Sequence, residues 1–389
     1  MKCLSCRIFA ALLCIILLGG QADAAPLGKT YFAGFAFSSD YSQIATAYPI
    51  SSGLISEKDS AQVPLLEREL GRRLAASPQK EKLIIGELGD THSGQAVALA
   101  FVLDWENVAT EKIGAITKIV VDVHAEILAF DFETKKVISA FPVAVQVRDA
   151  INGEVTQQHV QSLVRHIYYG TGPDSIFDRF VERLDRITIK SAYGKRLRVT
   201  DVVLEDQARQ FLADQKVDQA KFKSFVGLSF SKFLSSNQNL ALLPYSTGHA
   251  IGNKMAATFA NGDVYQLEIP ETDYAIHLTV RGFKKVQLDS NAVESAWGYG
   301  VFTHIKVDEP FGGKTFLDVP VKFAAVKKVP LTEQQADDWA SFQDSTLSLF
   351  DQFTKQIHDG DSAWLSKWSS GDSVRPQMTA LDHVLEMCR

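Results

Sequence analysis

The stretch "STGHAIGNKM" (246–255) follows the apolar run "LALLPY" and sets two glycines just ahead of a lysine. Such residues could cradle a phosphate. A phosphate loop needs G-x-x-x-x-G-K-[ST]. In that spacing backbone N–H groups curl round the anion, the lysine reaches forward and the hydroxyl holds magnesium. Here only three residues, not four, separate Gly248 from Gly252, Asn253 intervenes before Lys254, and Met255 stands in the hydroxyl's place. Pro244 bends the chain early, and no strong helix follows to turn its N-terminus toward a phosphate. The segment reads as a structural loop.

Nucleophile patterns are equally incomplete. "GLSFS" (227–231) departs from G-x-S-x-G at its last residue and lies in a helical pattern, not on a strand-to-helix elbow. "DTHSG" (90–94) sets Asp90, His92 and Ser93 side by side, whereas triad members meet through the fold. It reads as a polar loop. The chain contains no HExxH, no CxxC and no calcium loop. Asp122, His124 and Glu126 share one strand face at steps of about 7 Å. His277 with Arg281, and His304 with Lys306 and Asp308, form similar rows. A zinc site on such a row needs a further ligand from a neighbouring strand. The rows read as the wet faces of antiparallel sheets. Accordingly no residue is assigned a catalytic, cofactor-binding or metal-binding role, and no cofactor is expected. The competing enzyme reading is a secreted hydrolase with a site built from loops 89–94 and 246–254, gathering Asp90, His92, His249 or Lys254.

The elements that would position these residues belong to ordinary globular material. The 389 residues are 46% hydrophobic and 22% charged, with net charge −6. That balance gives no concentrated basic face for nucleic acid. Lys2 and Arg7, the apolar run 8–20 and "ADA" at 22–24 predict a secretory signal peptide cleaved near Ala24. No other apolar stretch approaches 18 residues, so no transmembrane helix is expected in the mature chain. Cys3, Cys6 and Cys14 fall in the leader, and Leu13 before Cys14 argues against a lipobox. Cys388 alone remains, so no internal disulfide can form. It is expected to be a spectator on a loose tail.

Strand alternation is clearest in 118–147. Val121, Val123, Ala125, Ile127 and Ala129 point one way, "ETKK" (133–136) turns the chain, and Val143, Val145 and Val147 return. Helical stripes run through Val63, Leu66, Leu70 and Leu74, through Val160, Leu163, Val164 and Ile167, and through Ile176, Phe177, Phe180, Val181 and Leu184. Asp174 is the expected cap of the last. A Phe-rich helix at 220–236, the buried strand 240–245, strands at 263–269 and 273–283, a second hairpin at 298–323 and a long helix follow. The order of helix, buried strand, strands, hairpin and helix thus occurs twice. The prediction is α+β, with two similar units of mostly antiparallel sheet packed by amphipathic helices. Their bounds are 25–170 and 219–359, joined by a helical connector at 171–218 and followed by a polar tail at 360–389 that ends in a short helix, "TALDHVLEM". Trp364 and Trp368 in that tail lie four apart and are expected to dock back onto the domain.

The hairpin "VVDVHAEILAFDFETKKVISAF" (120–141) resembles a recurring hairpin of the curli-secretion lipoprotein family and of the amino-terminal domain of the Tol-system translocation protein. The likeness rests on Leu128–Ala129–Phe130–Asp131, Thr134 and Val137–Ile138. "NLALLPYS" (239–246) and "DYAIHLTVRGF" (273–283) resemble further strands of those domains. The lipidated cysteine of such lipoproteins is missing, and 156–214 has no counterpart. The resemblance implies a periplasmic or secreted, non-catalytic envelope protein. It would bind an envelope partner by a strand edge or sheet face, or assemble with itself. A third reading is an oligomeric pore, with the Val121–Ala129 row facing lipid.

Overall fold

A computed structural model describes residues 30–85, 97–113, 115–245, 253–331, 338–360, 362–371 and 373–389. The expected signal peptide, and with it Cys3, Cys6 and Cys14, lies outside the described residues. So do the loop 89–94 and residues 246–252.

The chain begins with β1 (Thr30–Phe37), three helices, α1 (Ile44–Ala47), α2 (Ser51–Ile55) and α3 (Leu65–Ala76), and the short β2 (Leu83–Ile85). The long strands β3 (Val97–Ile113), β4 (Ile116–Asp131) and β5 (Lys136–Asn152) follow, then α4 (Gln157–Tyr169) and α5 (Ile176–Arg186). Next come β6 (Leu197–Leu204), α6 (Asp206–Asp214), α7 (Gln219–Gln238) and the hairpin of β7 (Lys254–Phe259) and β8 (Val264–Glu268). The chain ends with β9 (Tyr274–Ser290), β10 (Glu294–Asp308), β11 (Thr315–Pro330), α8 (Asp338–Asp359), α9 (Ser362–Trp368) and α10 (Val374–Cys388). The α+β class expected from the sequence is the observed one.

The first sheet has the order β2-β1-β3-β4-β5-β8-β7, and β7 pairs back onto β1 through Ala36↔Phe259 and Phe37↔Thr258. The sheet therefore curls into a closed ring. Small residues make that curl possible. Ala36, Ala98, Ala100 and Ala257 face inward with Leu128 and Phe130, and all are buried. On the other side of the same strands Val121, Val123, Ala125, Ile127 and Ala129 are fully buried in a core shared with α3, α4 and α5. No lipid-facing row remains there, so the pore reading loses its strand.

Local chemistry explains the helix ends. Thr156 caps α4 by accepting from the His159 N–H. Ser175, not Asp174, caps α5, because its hydroxyl reaches the Asp178 N–H. Asp218 caps α7 with bonds from the Ala220 and Lys221 N–H groups, and left-handed Asn239 ends it.

The second sheet has the order β11-β10-β9-β6. In each sheet an opening strand runs parallel to the next, β1 with β3 and β6 with β9, and two antiparallel pairings follow. β6 lies within 171–218, so that stretch supplies an edge of this sheet as well as helices. The β7–β8 hairpin, from the later half of the sequence, completes the first sheet. α7 packs on β5 on one side and β6 on the other, which stacks helices, sheet, helices and sheet in four layers. The tail is folded. Trp368 packs on Phe323 with ring centroids 5.0 Å apart, Trp364 packs on the second core, and Cys388 is buried in it. The expected self-docking of the tryptophans is observed, while the loose tail is corrected to two docked helices.

Candidate functional site

Two places in the molecule gather polar chemistry. The first is the row Asp122, His124 and Glu126 on β4. The sequence reads it as a wet sheet face, but all three side chains are buried. The face they share is the one that α7 covers, so the layer stacking takes water away from them. Asp122 accepts from Gln146 Nε2 at 2.6 Å, Gln146 accepts from Arg148 Nε at 2.8 Å, and Arg148 reaches Asp344 on α8 at 2.8 Å. This relay ties the first sheet to the second helix layer.

Opposite the row, β3 carries a bulge. Leu103 pairs with Ala125 and Trp105 with His124, which leaves Asp104 as the extra residue. Bulges re-aim side chains out of the regular alternation, and here Asp104 and Trp105 both line one cleft. Asp104 Oδ1 and Trp105 Nε1 are buried and have no hydrogen-bond partner. His124 lies beside Trp105 with ring centroids 6.4 Å apart, and its Nδ1 is likewise without a partner.

Burial dominates the electrostatics of this cluster. It pushes the Asp104 carboxyl up to about 7. It raises Glu126 well above the carboxylate range, with Asp104 adding repulsion and Arg198 opposing it. Burial also holds the His124 imidazole well below its ordinary value, and Lys232 on α7 adds to that. Burial thus favours the uncharged forms of Glu126 and His124 and brings the Asp104 carboxyl close to neutrality. A carboxyl so poised can donate or accept a proton.

The cleft encloses about 840 Å³ between the rim of the first sheet, α7 and β6. Its wall includes Tyr48, Trp105 and Tyr245. Tyr245 packs over Gly227 of α7, where a Cβ would collide with its ring, so the glycine of "GLSFS" is a packing residue. That motif lies within α7, as its helical pattern predicts.

The second place is the outer face of the second sheet. His277 on β9 sits between Asp201 of β6, which its Nδ1 contacts, and Asp308 of β10, 3.1 Å from its Nε2. The neighbouring strands do supply partners to the row, as a metal site would require, but both are carboxylates taken up by the imidazole itself. The hydrogen bond to Asp201 raises the His277 pKa. His304 pairs with Asp318 of β11 at 2.5 Å. Among the described residues no three His, Cys, Asp or Glu side chains are arranged to hold a metal ion.

Farther along this face lies a flat apolar strip. Val286, Gly298 and Val326 align across β9, β10 and β11, and Lys284, Gly300 and Ala324 form the next row. Val326 is 62% and Leu288 57% exposed. Among the described residues neither Lys284 nor Lys322 is paired with a carboxylate.

Of the proposed hydrolase loops, Asp90, His92, Ser93 and His249 lie outside the described residues, as do Gly248 and Gly252. Lys254 is exposed at the start of β7. The residues after the glycine loop thus form a strand, not the helix a phosphate site needs. Asp104 and Trp105 were invisible to motif reading, because a bulge, not spacing, brings them to the cleft. The one local signal is "DW" at the end of an apolar run, where alternation breaks.

Among the described residues no helix is long and apolar enough to cross a membrane. No protein-family model matches the chain, and no curated protein matches it. Among solved structures, a minor lipoprotein from Acinetobacter baumannii is similar over 46% of this chain and 97% of its own, at 12% identity and a TM-score of 0.21. The chain is therefore placed by its own architecture, an α+β protein of two sheets interleaved with helices.

Proposed function

We propose that this chain is an exported, non-catalytic envelope protein that holds a partner protein on the outer face of its second sheet. The observation that carries this reading is the strip Val286, Leu288 and Val326, an exposed apolar surface laid over Gly298 and Gly300. An exposed apolar strip with a polar rim is what interaction surfaces present to a partner. The rim lysines Lys284 and Lys322 favour a partner whose own apolar patch is ringed by carboxylates. The β11 edge is a poorer docking site than the face. Pro320, Lys322, Lys327, Lys328 and Pro330 stand along it, and proline and lysine are the residues that discourage strand addition.

The signal-peptide pattern at the start of the sequence supports export. The run of one parallel and two antiparallel pairings that both sheets contain, β1-β3-β4-β5 and β6-β9-β10-β11, supports two similar α+β units, with β6 joined to the second. Photo-crosslinking tests the function. A photoreactive residue at Leu288 in the exported full-length chain is expected to give a discrete adduct with one partner protein. Val326→Glu should reduce that adduct about tenfold, equivalent to roughly 1.4 kcal/mol. Ile116→Glu, which alters an exposed apolar residue elsewhere, should leave it unchanged. Absence of an adduct, an adduct indifferent to Val326→Glu, or an adduct between two copies of this chain would each overturn the reading.

A further inference from the structure

We propose that the cleft between the two sheets takes an extended, acidic peptide segment, which adds to the open edge of β6 as a further strand. β6 is the outermost strand of the second sheet and pairs on one side only, with β9. The Glu205 N–H bonds the Val280 carbonyl, and the Tyr274 N–H bonds the Arg196 carbonyl. Backbone groups alternate in direction along a strand. Those of Val203 and Arg198 therefore face β9, and those of Val199 and Val202 face the other way. The ends of this second edge are closed. Leu197 O accepts from the Leu243 N–H at 3.0 Å, and Leu204 O accepts from the Arg209 guanidinium. Between them, among the described residues, nothing bonds the backbone of Val199 or Val202.

The cleft meets that edge side-on. Thr200, Asp201 and Val202 line it in succession, as Asp104 to Asn107 of β3 do across the gap. A cavity lying over a sheet face touches every second residue, because side chains alternate. One lined by consecutive residues faces the edge of a strand. β3 is open there as well, since its pairing with β1 ends at Phe37↔Leu103 while β4 continues along its other side. The gap is thus bounded by two unpaired edges. Such edges take up extended chain through main-chain hydrogen bonds. The enclosed volume of about 840 Å³ admits a short segment, not a domain.

Charge selects the segment. Two acids of the wall are already engaged. Glu106 accepts from the Ile50 and Ser51 N–H groups at 2.9 and 2.8 Å, and Asp201 is held by His277 and Thr200. Burial brings a third, Asp104, close to neutrality. Lys221 and Lys223 line the cleft from the first turns of α7, at the positive end of its dipole. Among the described residues neither ammonium is paired with a carboxylate. Leu228, Tyr245 and Met255 add apolar wall. A segment that carries both apolar and acidic side chains satisfies both.

The probe is a hexapeptide of alternating valine and glutamate, blocked at both ends and followed by fluorescence anisotropy on the full mature chain. It is expected to bind one-to-one and to slow hydrogen exchange of the Val202 amide at least tenfold. A counterpart with lysine in place of glutamate should bind at least tenfold more weakly. Two further forms carry N-methyl groups on the three valines or on the three glutamates, and at least one of them should lose tenfold or more, because methylation removes the donors that face one edge. Lys221→Glu with Lys223→Glu should weaken the acidic peptide about tenfold. Carboxylates suit the start of a helix, so this variant should fold, and thermal unfolding checks it. The proposal is overturned if the acidic peptide binds no more tightly than about 1 mM, or if its binding leaves Val202 exchange unchanged. It is equally overturned if the lysine peptide binds as well, if both methylated forms bind like the parent peptide, or if the folded double variant binds like the parent chain. These outcomes are independent of cross-linking at Leu288.

Discussion

Arg73 shows what a single side chain can hold together. It is buried, and its guanidinium donates five hydrogen bonds. They go to Glu69 at 2.8 Å, Ser175 Oγ at 2.9 Å, Asp178 at 2.5 Å, and the carbonyls of Tyr169 and Gly170 at 3.2 and 2.7 Å. These partners lie on α3, at the end of α4 and at the start of α5. The planar fork matches carboxylate and carbonyl geometry in a way a lysine cannot. Arg73→Met takes this donor from Ser175 and from the Tyr169 and Gly170 carbonyls, while Glu69 keeps Arg72 and Asp178 keeps the Gly172 N–H. We expect it to cost about 3 kcal/mol in urea unfolding. Arg72→Met, which removes only an exposed pair with Glu69, should change stability by less than about 1 kcal/mol. In the sequence Arg72 and Arg73 look alike, as charged residues between the apolar positions of one helix. The difference is set by which of them α5 comes to cover.

At the scale of elements, His277 stitches three strands, and its titration gives a signed pH effect. Its folded pKa lies above the ordinary value, chiefly through the bond to Asp201. Protonated His277 therefore contributes stability in full below about pH 6.5, and the contribution fades as pH rises through the folded pKa. The Tm difference between the parent and His277→Gln should accordingly be larger at pH 5.5 than at pH 8.5, by about 1–2 °C in scanning calorimetry. An equal difference at both values would sink this account. The strand itself was legible. Tyr274, Ile276, Leu278 and Val280 alternate as a half-buried strand must, and they are buried. The hairpins, α3, α4, α5 and α7 were legible for the same reason, since period carries face. Burial on the second face was not. Asp122, His124 and Glu126 alternate like a solvated row, and only the placement of α7 against β5 encloses them. The β7 strand was missed because, after Lys254, its residues "MAATF" are buried on both faces and show no alternation. That is the pattern of a ring interior, not of a half-wet sheet.

The whole molecule determines the fate of Cys388, the only cysteine outside the predicted leader. α10 docks against α8 and β11, and burial pushes the Cys388 thiol up to about 12. A thiol held in that form is a poor nucleophile. Labelling by a disulfide reagent should be about a hundredfold slower than for a free cysteine and should accelerate only with global unfolding. Rapid labelling of the native chain would mean that α10 is not held there. The sequence suggested a spectator because Ser, Asp and Gly dominate 360–373. Their polarity marks the links between helices, while Met378, Leu381, Val384 and Leu385 provide the buried stripe.

The seam between β1 and β7 has a consequence for how the chain comes into being. More than half of the sequence separates Ala36 from its partner Phe259. A polypeptide delivered amino end first therefore waits with an unfinished ring, its alanine-lined lumen and Phe130 open to water, until Glu268 has arrived. Such distant pairing is slow to find and exposes adhesive surface meanwhile. The inner face of the early half therefore stays uncovered until the late hairpin closes the seam.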